Sequence, residues 1–245
     1  MAQTPIVYFH GMPGGPGEWD LLAPAALLEG TFAADRNSPD RTGPALADPP
    51  DKVVVIGFSL GTPHALELAR QLGSRAEALH LISPAAPLQL GAFLPDMAGG
   101  ALFALAARHP RLFRLVVAAQ GLLARYAPAL LLGRLFATAR GGDAQLWADP
   151  AFRTGLAEVL RGGLGRDAHG FAAEVAGYVA DWRDDLAAPL PMPVTIWQGS
   201  ADNWTPPAMG RALNASLTGS RLVMLEGCSH YSALQAALAR IAAGE

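Results

Sequence analysis

The order of apolar runs along the chain restricts its fold more than any other feature. Short runs rich in β-branched and aromatic residues alternate with segments of helical periodicity over the first ninety residues, and the alternation returns after residue 189. Short apolar runs bounded by Gly and Pro are typical of a parallel sheet buried on both faces. We therefore predict an α/β fold with a mostly parallel sheet of about six strands, flanked by helices. The expected strands are Ile6–Phe9, Phe32–Ala34, Val53–Ile56, Ala78–Ser83, Val194–Trp197 and Arg221–Leu225.

The stretch between the two halves of this pattern has a different character. From residue 91 to residue 188 the strand signal gives way to Ala, Leu, Arg and Gly at helical spacing, broken by prolines. This predicts a helical insertion between two parts of one core, 1–90 and 189–245. The most apolar stretch, 112–136, contains three arginines and a proline, so we interpret it as two packed or pocket-covering helices instead of a membrane span. Helices of the core are expected at Gly17–Leu28, Pro63–Leu72, Pro207–Ser216 and Ser232–Ala243.

Composition excludes several functional classes. The chain of 245 residues has a formal net charge of −3 and is 51 % hydrophobic, which argues against wholesale disorder. Its arginines are spread along the chain, so no basic footprint for nucleic acid is predicted. A single cysteine, Cys228, has no partner for an internal disulfide. The first residues do not have the pattern of a signal peptide, and we expect a cytoplasmic protein.

The strongest local signal is the sequence Gly-Phe-Ser-Leu-Gly at residues 57–61. It lies between an expected strand and an expected helix. A nucleophilic serine on a tight turn from strand to helix needs small residues two positions before and after it, since the backbone is strained and other chain passes close. Gly57 and Gly61 meet this requirement around Ser59, which is therefore a candidate nucleophile, although a purely structural turn has the same appearance.

A serine hydroxyl needs a histidine to accept its proton and an acid to orient that histidine. Only His230 lies just past a C-terminal strand, while the remaining histidines fall in expected strands, helices or loops. Asp202 follows another strand end, which places it at the same sheet edge as Ser59 and His230. Glu226, four residues before His230, is an alternative acid. The remaining histidines are His10, His64, His80, His109 and His169.

The glycine-rich segment 10–17 follows the first expected strand and lets backbone N–H groups face a ligand. It contains neither phosphate-loop pattern, and the lone lysine of the chain lies elsewhere, so a phosphate-binding role is the weaker interpretation. We expect the N–H groups of Met12 and Leu60 to form an oxyanion hole, with Leu60 also at a helix N-terminus. His10 is interpreted as fixing this loop, next to Gly11.

Taken together, these segments resemble the α/β-hydrolase superfamily. His-Gly-Met-Pro-Gly at 10–14 looks like its oxyanion loop, and 57–61 looks like its nucleophile elbow. Gly-Ser-Ala-Asp-Asn-Trp-Thr-Pro at 199–206 resembles its acid turn, and Gly-Cys-Ser-His at 227–230 its histidine loop. The resemblance covers 4–90 and 189–245, and implies that the insertion at 91–188 is the family's variable helical cap. Family members usually begin with a strand hairpin that is absent here, so the sheet is expected to be truncated at the N-terminus.

The resemblance implies a catalytic triad of Ser59, His230 and Asp202, oxyanion N–H groups from Met12 and Leu60, and no metal or organic cofactor. A serine nucleophile argues against the haloalkane dehalogenase branch, which uses a carboxylate. The expected activity is hydrolysis of a carboxylic ester or related acyl compound through an acyl-serine intermediate. An aminopeptidase, lactonase, thioesterase or carbon–carbon bond hydrolase on the same triad is an alternative, as is a ligand-binding protein without activity.

The substrate is expected to be a small apolar acyl compound, with no nucleic acid partner and no membrane span. Leucines and aromatic residues of the insertion are candidates to roof a hydrophobic pocket, although amphipathic helices must bury one face in any case. The aromatic candidates are Phe93, Phe103, Phe113, Phe136, Trp147 and Tyr178.

Overall fold

The computed structural model describes residues 4–36 and 51–245. Its centre is a six-stranded sheet in the order β2-β1-β3-β4-β5-β6, and all five strand pairs are parallel. The predicted α/β class and the strand number are confirmed. The strands are β1 Ile6–Phe9, β2 Thr31–Ala34, β3 Val53–Phe58, β4 Ala76–Ile82, β5 Val194–Gly199 and β6 Arg221–Leu225.

Two of the strands run further toward the site than the sequence pattern predicts. β3 continues to Phe58 and β5 to Gly199, because glycine and glutamine positions that break the β-branched runs still pair with their neighbours. Gly57 pairs with Phe9 on one side and Leu81 on the other. Since parallel strands share one direction, the carboxyl ends of β1, β3, β4, β5 and β6 meet at one edge of the sheet.

Helices of the core cover both faces of the sheet. They are α1 Gly17–Leu22, α2 Thr62–Leu72, α9 Pro207–Ser216 and α10 His230–Ala242, with the inserted helices numbered between α2 and α9. The predicted helix Gly17–Leu28 is shorter, because Pro24 interrupts it and the chain continues as a short 3₁₀ turn at Ala25–Leu27. α10 begins two residues earlier than predicted, because Ser229 forms a capping box with Ser232.

Six helices lie between β4 and β5, where the sequence predicts the insertion. No single helix of residues 4–36 and 51–245 is long and apolar enough to cross a membrane, but the pair Pro110–Tyr126 and Pro128–Thr138, bent by 117°, passes the length and composition test together. The inserted helices are α3 Gly100–Arg108, α4 Pro110–Tyr126, α5 Pro128–Leu135, α6 Gly141–Ala148, α7 Pro150–Gly162 and α8 Ala168–Val179.

The long helix α4 is amphipathic. Its inner side packs on α3, α5, α7 and α8 and buries Phe113, Val117 and Ala124. Its outer side leaves Leu115, 70 % exposed, and Leu122, 61 % exposed, in contact with solvent. Only one side of α4 therefore contributes to the stability of the fold.

Two substitutions on α4 separate these sides. Phe113→Ala removes a ring that is 1 % exposed, and we expect the free energy of unfolding to fall by about 3–5 kcal/mol. Leu115→Ala, two residues further on, is expected to change it by no more than about 0.5 kcal/mol. Urea denaturation monitored by tryptophan fluorescence measures both. Equal losses for the two variants would contradict the packing described for α4.

Candidate active site

Ser59 lies on the turn between β3 and α2, at the edge where the strands end. Its φ of 54° is in the left-handed region, which a residue with a side chain rarely adopts. Two glycines make the turn possible: a Cβ at Gly57 would lie 2.6 Å from the Ala65 Cβ, and one at Gly61 would lie 2.3 Å from the Phe9 carbonyl oxygen. The strained, closely packed turn thus has the geometry that the sequence motif predicts.

His230 and Asp202 meet at the same edge, after β6 and β5. His230 Nδ1 lies 2.9 Å from Asp202 Oδ2, and both side chains are buried. Asp202 Oδ1 accepts hydrogen bonds from the backbone N–H groups of Trp204 and Thr205, at 2.8 and 3.0 Å. Because its other oxygen is held by the backbone, the carboxylate is fixed in the orientation that faces the imidazole.

The surroundings of His230 decide its protonation. Burial lowers the pKa of the imidazole, but the charge and the hydrogen bond of Asp202, together with the charges of Asp143 and Glu18, outweigh burial and raise the pKa above its ordinary value. The ring stacks on Trp204, with ring centroids 5.5 Å apart and planes 9° apart. Its centroid lies 4.6 Å from the centroid of the Phe58 ring. With Nδ1 facing Asp202, Nε2 is the nitrogen left to accept a proton.

Thr205 is a polar contact of this pair that sequence reasoning missed. Its hydroxyl lies 3.0 Å from Asp202 Oδ2, 3.2 Å from His230 Nδ1 and 2.9 Å from the Ser83 carbonyl oxygen. Ser83 follows β4 and, with Ser59, is one of two non-glycine residues in the described ranges that have positive φ. The ends of β4, β5 and β6 are therefore joined through one hydroxyl, and only the position of Thr205 within the acid turn hints at it.

Asp143 on α6 is a second residue that sequence reasoning missed. Its carboxylate is fully buried and accepts hydrogen bonds from the N–H groups of His230, Tyr231 and Ser232 and from the Ser232 hydroxyl. It caps the N-terminus of α10 from a helix about ninety positions earlier in the chain, where a negative charge is favoured. Burial raises the pKa of the Asp143 carboxyl, while the bonds from Ser232 act in the opposite direction.

The rival acid Glu226 is exposed, and its side chain makes no hydrogen bond to His230 in the described structure. Asp202 occupies the Nδ1 side of the imidazole, so the geometry favours Asp202 over Glu226 as the orienting acid.

A buried carboxyl group, that of Glu18, binds the backbone of the glycine-rich loop after β1. Glu18 Oε1 accepts the Gly11 N–H at 3.0 Å and the Tyr8 hydroxyl at 2.6 Å. Burial raises the pKa of Glu18, and these two hydrogen bonds lower it in part. The backbone just before Met12 is thereby fixed beside the turn of Ser59, since a Cβ at Gly11 would lie 3.2 Å from the Ser59 Cβ.

His10, at the start of the glycine-rich loop, is fully buried. Its Nδ1 lies 2.7 Å from the Gly11 carbonyl oxygen, and burial together with the nearby Arg36 charge lowers its pKa to about 3. Arg36 donates to the His10 carbonyl oxygen at 2.6 Å and pairs with Glu174 of α8. Arg36 therefore connects the loop to α8.

A cavity of about 230 Å³ opens beside Ser59 and is bordered by Met12 and Leu60. Of the six aromatic candidates for the roof of a pocket, Phe103 and Tyr178 line this cavity. The other four pack elsewhere; Phe136, for example, stacks on Trp147 with ring centroids 4.5 Å apart. Larger depressions of about 480 and 620 Å³ lie away from Ser59. The segment between β4 and β5 lines the cavity mostly with apolar side chains, among them Leu102, Leu131, Leu135, Leu164 and Phe171.

Solved structures with the same fold are numerous, at low sequence identity. Bromoperoxidase from Bacillus anthracis is 17 % identical with a TM-score of 0.63, covering 100 % of this chain and 93 % of its own. The enol-lactonase from Burkholderia xenovorans LB400 is 17 % identical with a TM-score of 0.65, covering 99 % and 90 %. A thermophilic esterase from Thermogutta terrifontis is 18 % identical with a TM-score of 0.66, covering 99 % and 88 %.

Sequence comparison identifies the family on its own. No curated protein matches the chain. The model of the alpha/beta hydrolase fold matches residues 47–237, which include the turn of Ser59, the acid turn and the histidine loop. That match spans well over half of the chain, and the structural neighbours share the architecture. The chain belongs to the alpha/beta hydrolase fold family.

Proposed function

We propose that this protein is a serine hydrolase that cleaves a carboxylic ester or a related acyl compound through an acyl-Ser59 intermediate. The observation that carries the proposal is the buried 2.9 Å contact between His230 Nδ1 and Asp202 Oδ2 at the sheet edge that bears the strained Ser59. A hydrolase activity is consistent with the family and with the esterase and lactonase among the structural neighbours.

The proposed reaction uses each group once in acylation and once in deacylation. His230 Nε2 accepts the proton of Ser59 Oγ as the oxygen attacks the acyl carbonyl carbon, and Asp202 stabilises the imidazolium. The N–H groups of Met12 and Leu60 stabilise the oxyanion. The imidazolium then protonates the leaving alcohol. Water attacks the acyl enzyme by the same steps and releases the acid and Ser59.

We further propose that residues 91–188 act as a cap over this site. The apolar side chains that α3, α5 and α8 direct to the cavity favour an apolar acyl group, and the size of the cavity, about 230 Å³, favours a small to medium one. A lactone is a cyclic ester, so the same groups would open its ring. Lactone hydrolysis is therefore the second candidate, favoured by the enol-lactonase among the structural neighbours.

The nucleophile is tested by covalent labelling. We expect a fluorophosphonate probe to label the wild-type protein at neutral pH, because the oxygen of Ser59 is activated by His230. Ser59→Ala should abolish labelling, whereas Ser200→Ala, on the acid turn, should keep it. Labelling is measured by intact-protein mass spectrometry. A wild-type protein that stays unlabelled, and inactive on a panel of p-nitrophenyl esters and lactones, would favour a non-catalytic binding role.

The acid is tested by a matched pair of substitutions. Asp202→Asn changes the group that fixes the His230 tautomer, and we expect kcat/KM for an active p-nitrophenyl ester to fall about 10³- to 10⁴-fold. Glu226→Gln removes an exposed carboxylate and should leave kcat/KM unchanged. The reverse outcome would assign the acid to Glu226.

Asp143 is proposed as a positioning residue for His230. Asp143→Asn replaces an acceptor oxygen by an NH₂ group that faces backbone donors, and we expect kcat to fall about 10- to 100-fold with little change in KM. The general base works only when neutral, so activity falls as the pH drops through the His230 pKa. Because the Asp143 charge raises that pKa, its removal should move the acid limb of the kcat/KM profile to lower pH.

The control for Asp143 is Asp149→Asn. Asp149 caps α7 in the same insertion and accepts the Ala151 N–H at 2.8 Å, so its loss affects helix stability alone. Asp143→Asn with an unchanged acid limb and the same small effect on kcat as Asp149→Asn would reduce Asp143 to a structural cap.

A further inference from the structure

The outer side of α4 carries an unpartnered apolar stripe. We name Leu112, Leu115, Ala119, Leu122 and Tyr126 the outer stripe; they recur at intervals of three and four residues and so lie on one face of the helix. The four large side chains are 51 to 74 % exposed. Large apolar side chains that share one exposed face mark an interaction surface more often than those scattered singly.

The charged residues of the segment that carries the outer stripe all have one sign. Residues 97–142 contain six arginines and no aspartate or glutamate, although the chain as a whole has a net charge of −3. All six arginines are exposed and none forms an ion pair in the described structure. They are Arg108, Arg111, Arg114, Arg125, Arg134 and Arg140.

Three of these six arginines lie on α4 and make one edge of the stripe basic. At 100° per residue, Arg111, Arg114 and Arg125 fall together beside Leu115 and Leu122, on the side away from Gln120. The guanidinium of Arg125 lies over the ring of Tyr126, 5.5 Å from the ring centroid. Leucines and a tyrosine next to a row of arginines are the composition of helices that lie in a lipid headgroup region.

We propose that the outer stripe and its arginine edge dock on an anionic lipid surface. The inner side of α4 is packed against α3, α5, α7 and α8. The outer side is therefore the side of the helix that is available to a lipid surface. A second copy of this chain is disfavoured by charge: pairing two stripes would bring arginines together without an acidic residue of the segment to neutralise them. An anionic bilayer supplies both the apolar layer and the opposite charge.

Helix α4 also borders the cavity of the candidate active site, on a side of the helix away from the outer stripe. Gln120, on the other side of α4 from the arginine edge, lines that cavity, and so do Leu131, Arg134 and Leu135 of α5. The docking proposal itself does not depend on the proposed hydrolase activity.

The test is co-sedimentation of the Ser59→Ala protein with vesicles, which keeps the lipid intact. We expect binding to phosphatidylcholine vesicles that contain phosphatidylglycerol, much weaker binding to phosphatidylcholine alone, and loss of binding as the ionic strength rises. Leu115→Ser with Leu122→Ser should lower the partition coefficient roughly tenfold per leucine. Replacing Arg111, Arg114 and Arg125 by Gln should lower it roughly fivefold per arginine.

Matched controls lie on the surface outside the insertion. Leu28→Ser changes a leucine that is 44 % exposed outside the insertion, and replacing the exposed Arg75, Arg211 and Arg221 by Gln removes the same net charge. Both controls should bind vesicles as the parent does. Thermal unfolding of all variants checks that each is folded.

Three outcomes would overturn the proposal. Binding that is absent, or equal for neutral and anionic vesicles, contradicts the charge argument. Losses in the controls equal to those in the stripe variants contradict the location. A concentration-dependent dimer in sedimentation velocity, removed by the two leucine substitutions while vesicles are not bound, would assign the outer stripe to a second copy. Fluorophosphonate labelling of the wild-type protein tests the hydrolase proposal separately.

Discussion

Parallel strand pairing is the constraint on which the candidate site depends. Because β1, β3, β4, β5 and β6 all run in one direction, the segments that follow them emerge at one edge of the sheet. The glycine-rich loop, the turn of Ser59, the segment of Asp202 and the segment of His230 follow β1, β3, β5 and β6 in this way. Phe58, next to Ser59, lies 172 positions before His230, yet the centroids of their rings are 4.6 Å apart.

Buried polar groups then fix what the sheet brings together. Asp202 orients His230, Glu18 holds the loop before Met12, and Asp143 holds the start of α10. A buried carboxylate without hydrogen bonds is costly, so each of these groups is stable only in the conformation that satisfies it. The inserted helices contribute Asp143, and the arrangement of His230 therefore depends on a part of the chain that bears none of the proposed catalytic side chains.

The apolar residues of the insertion have three separate environments. Phe113 and Val117 pack in the core, Leu131 and Leu135 line the cavity, and Leu115 and Leu122 face solvent. Hydropathy alone assigns all six to one class. The third environment is unfavourable for a protein surrounded only by water, and its arginine edge gives it a physical use at an anionic interface.

The sequence by itself determined the fold class, the strand number and the position of the turn at Ser59. Periodicity and glycine spacing are local properties, and local backbone geometry follows from them. The places of His230 and Asp202 after strands also make them candidates for the site, with Glu226 as an alternative acid, and the structure adds the 2.9 Å contact between His230 and Asp202. The ends of α1 and α10 were less predictable, because Pro24 and the Ser229 capping box compete with periodicity at helix ends.

Only the tertiary structure decided which residues support the site. Thr205 and Asp143 have ordinary sequence surroundings, and their roles arise from contacts with residues 25 and 87 to 89 positions away. The same holds for α4, which has apolar residues on two of its faces. Packing against α8 and α7 buries the face with Phe113 and leaves the outer stripe exposed. Side-chain contacts over long sequence separations depend on how helices and strands pack, which periodicity does not encode.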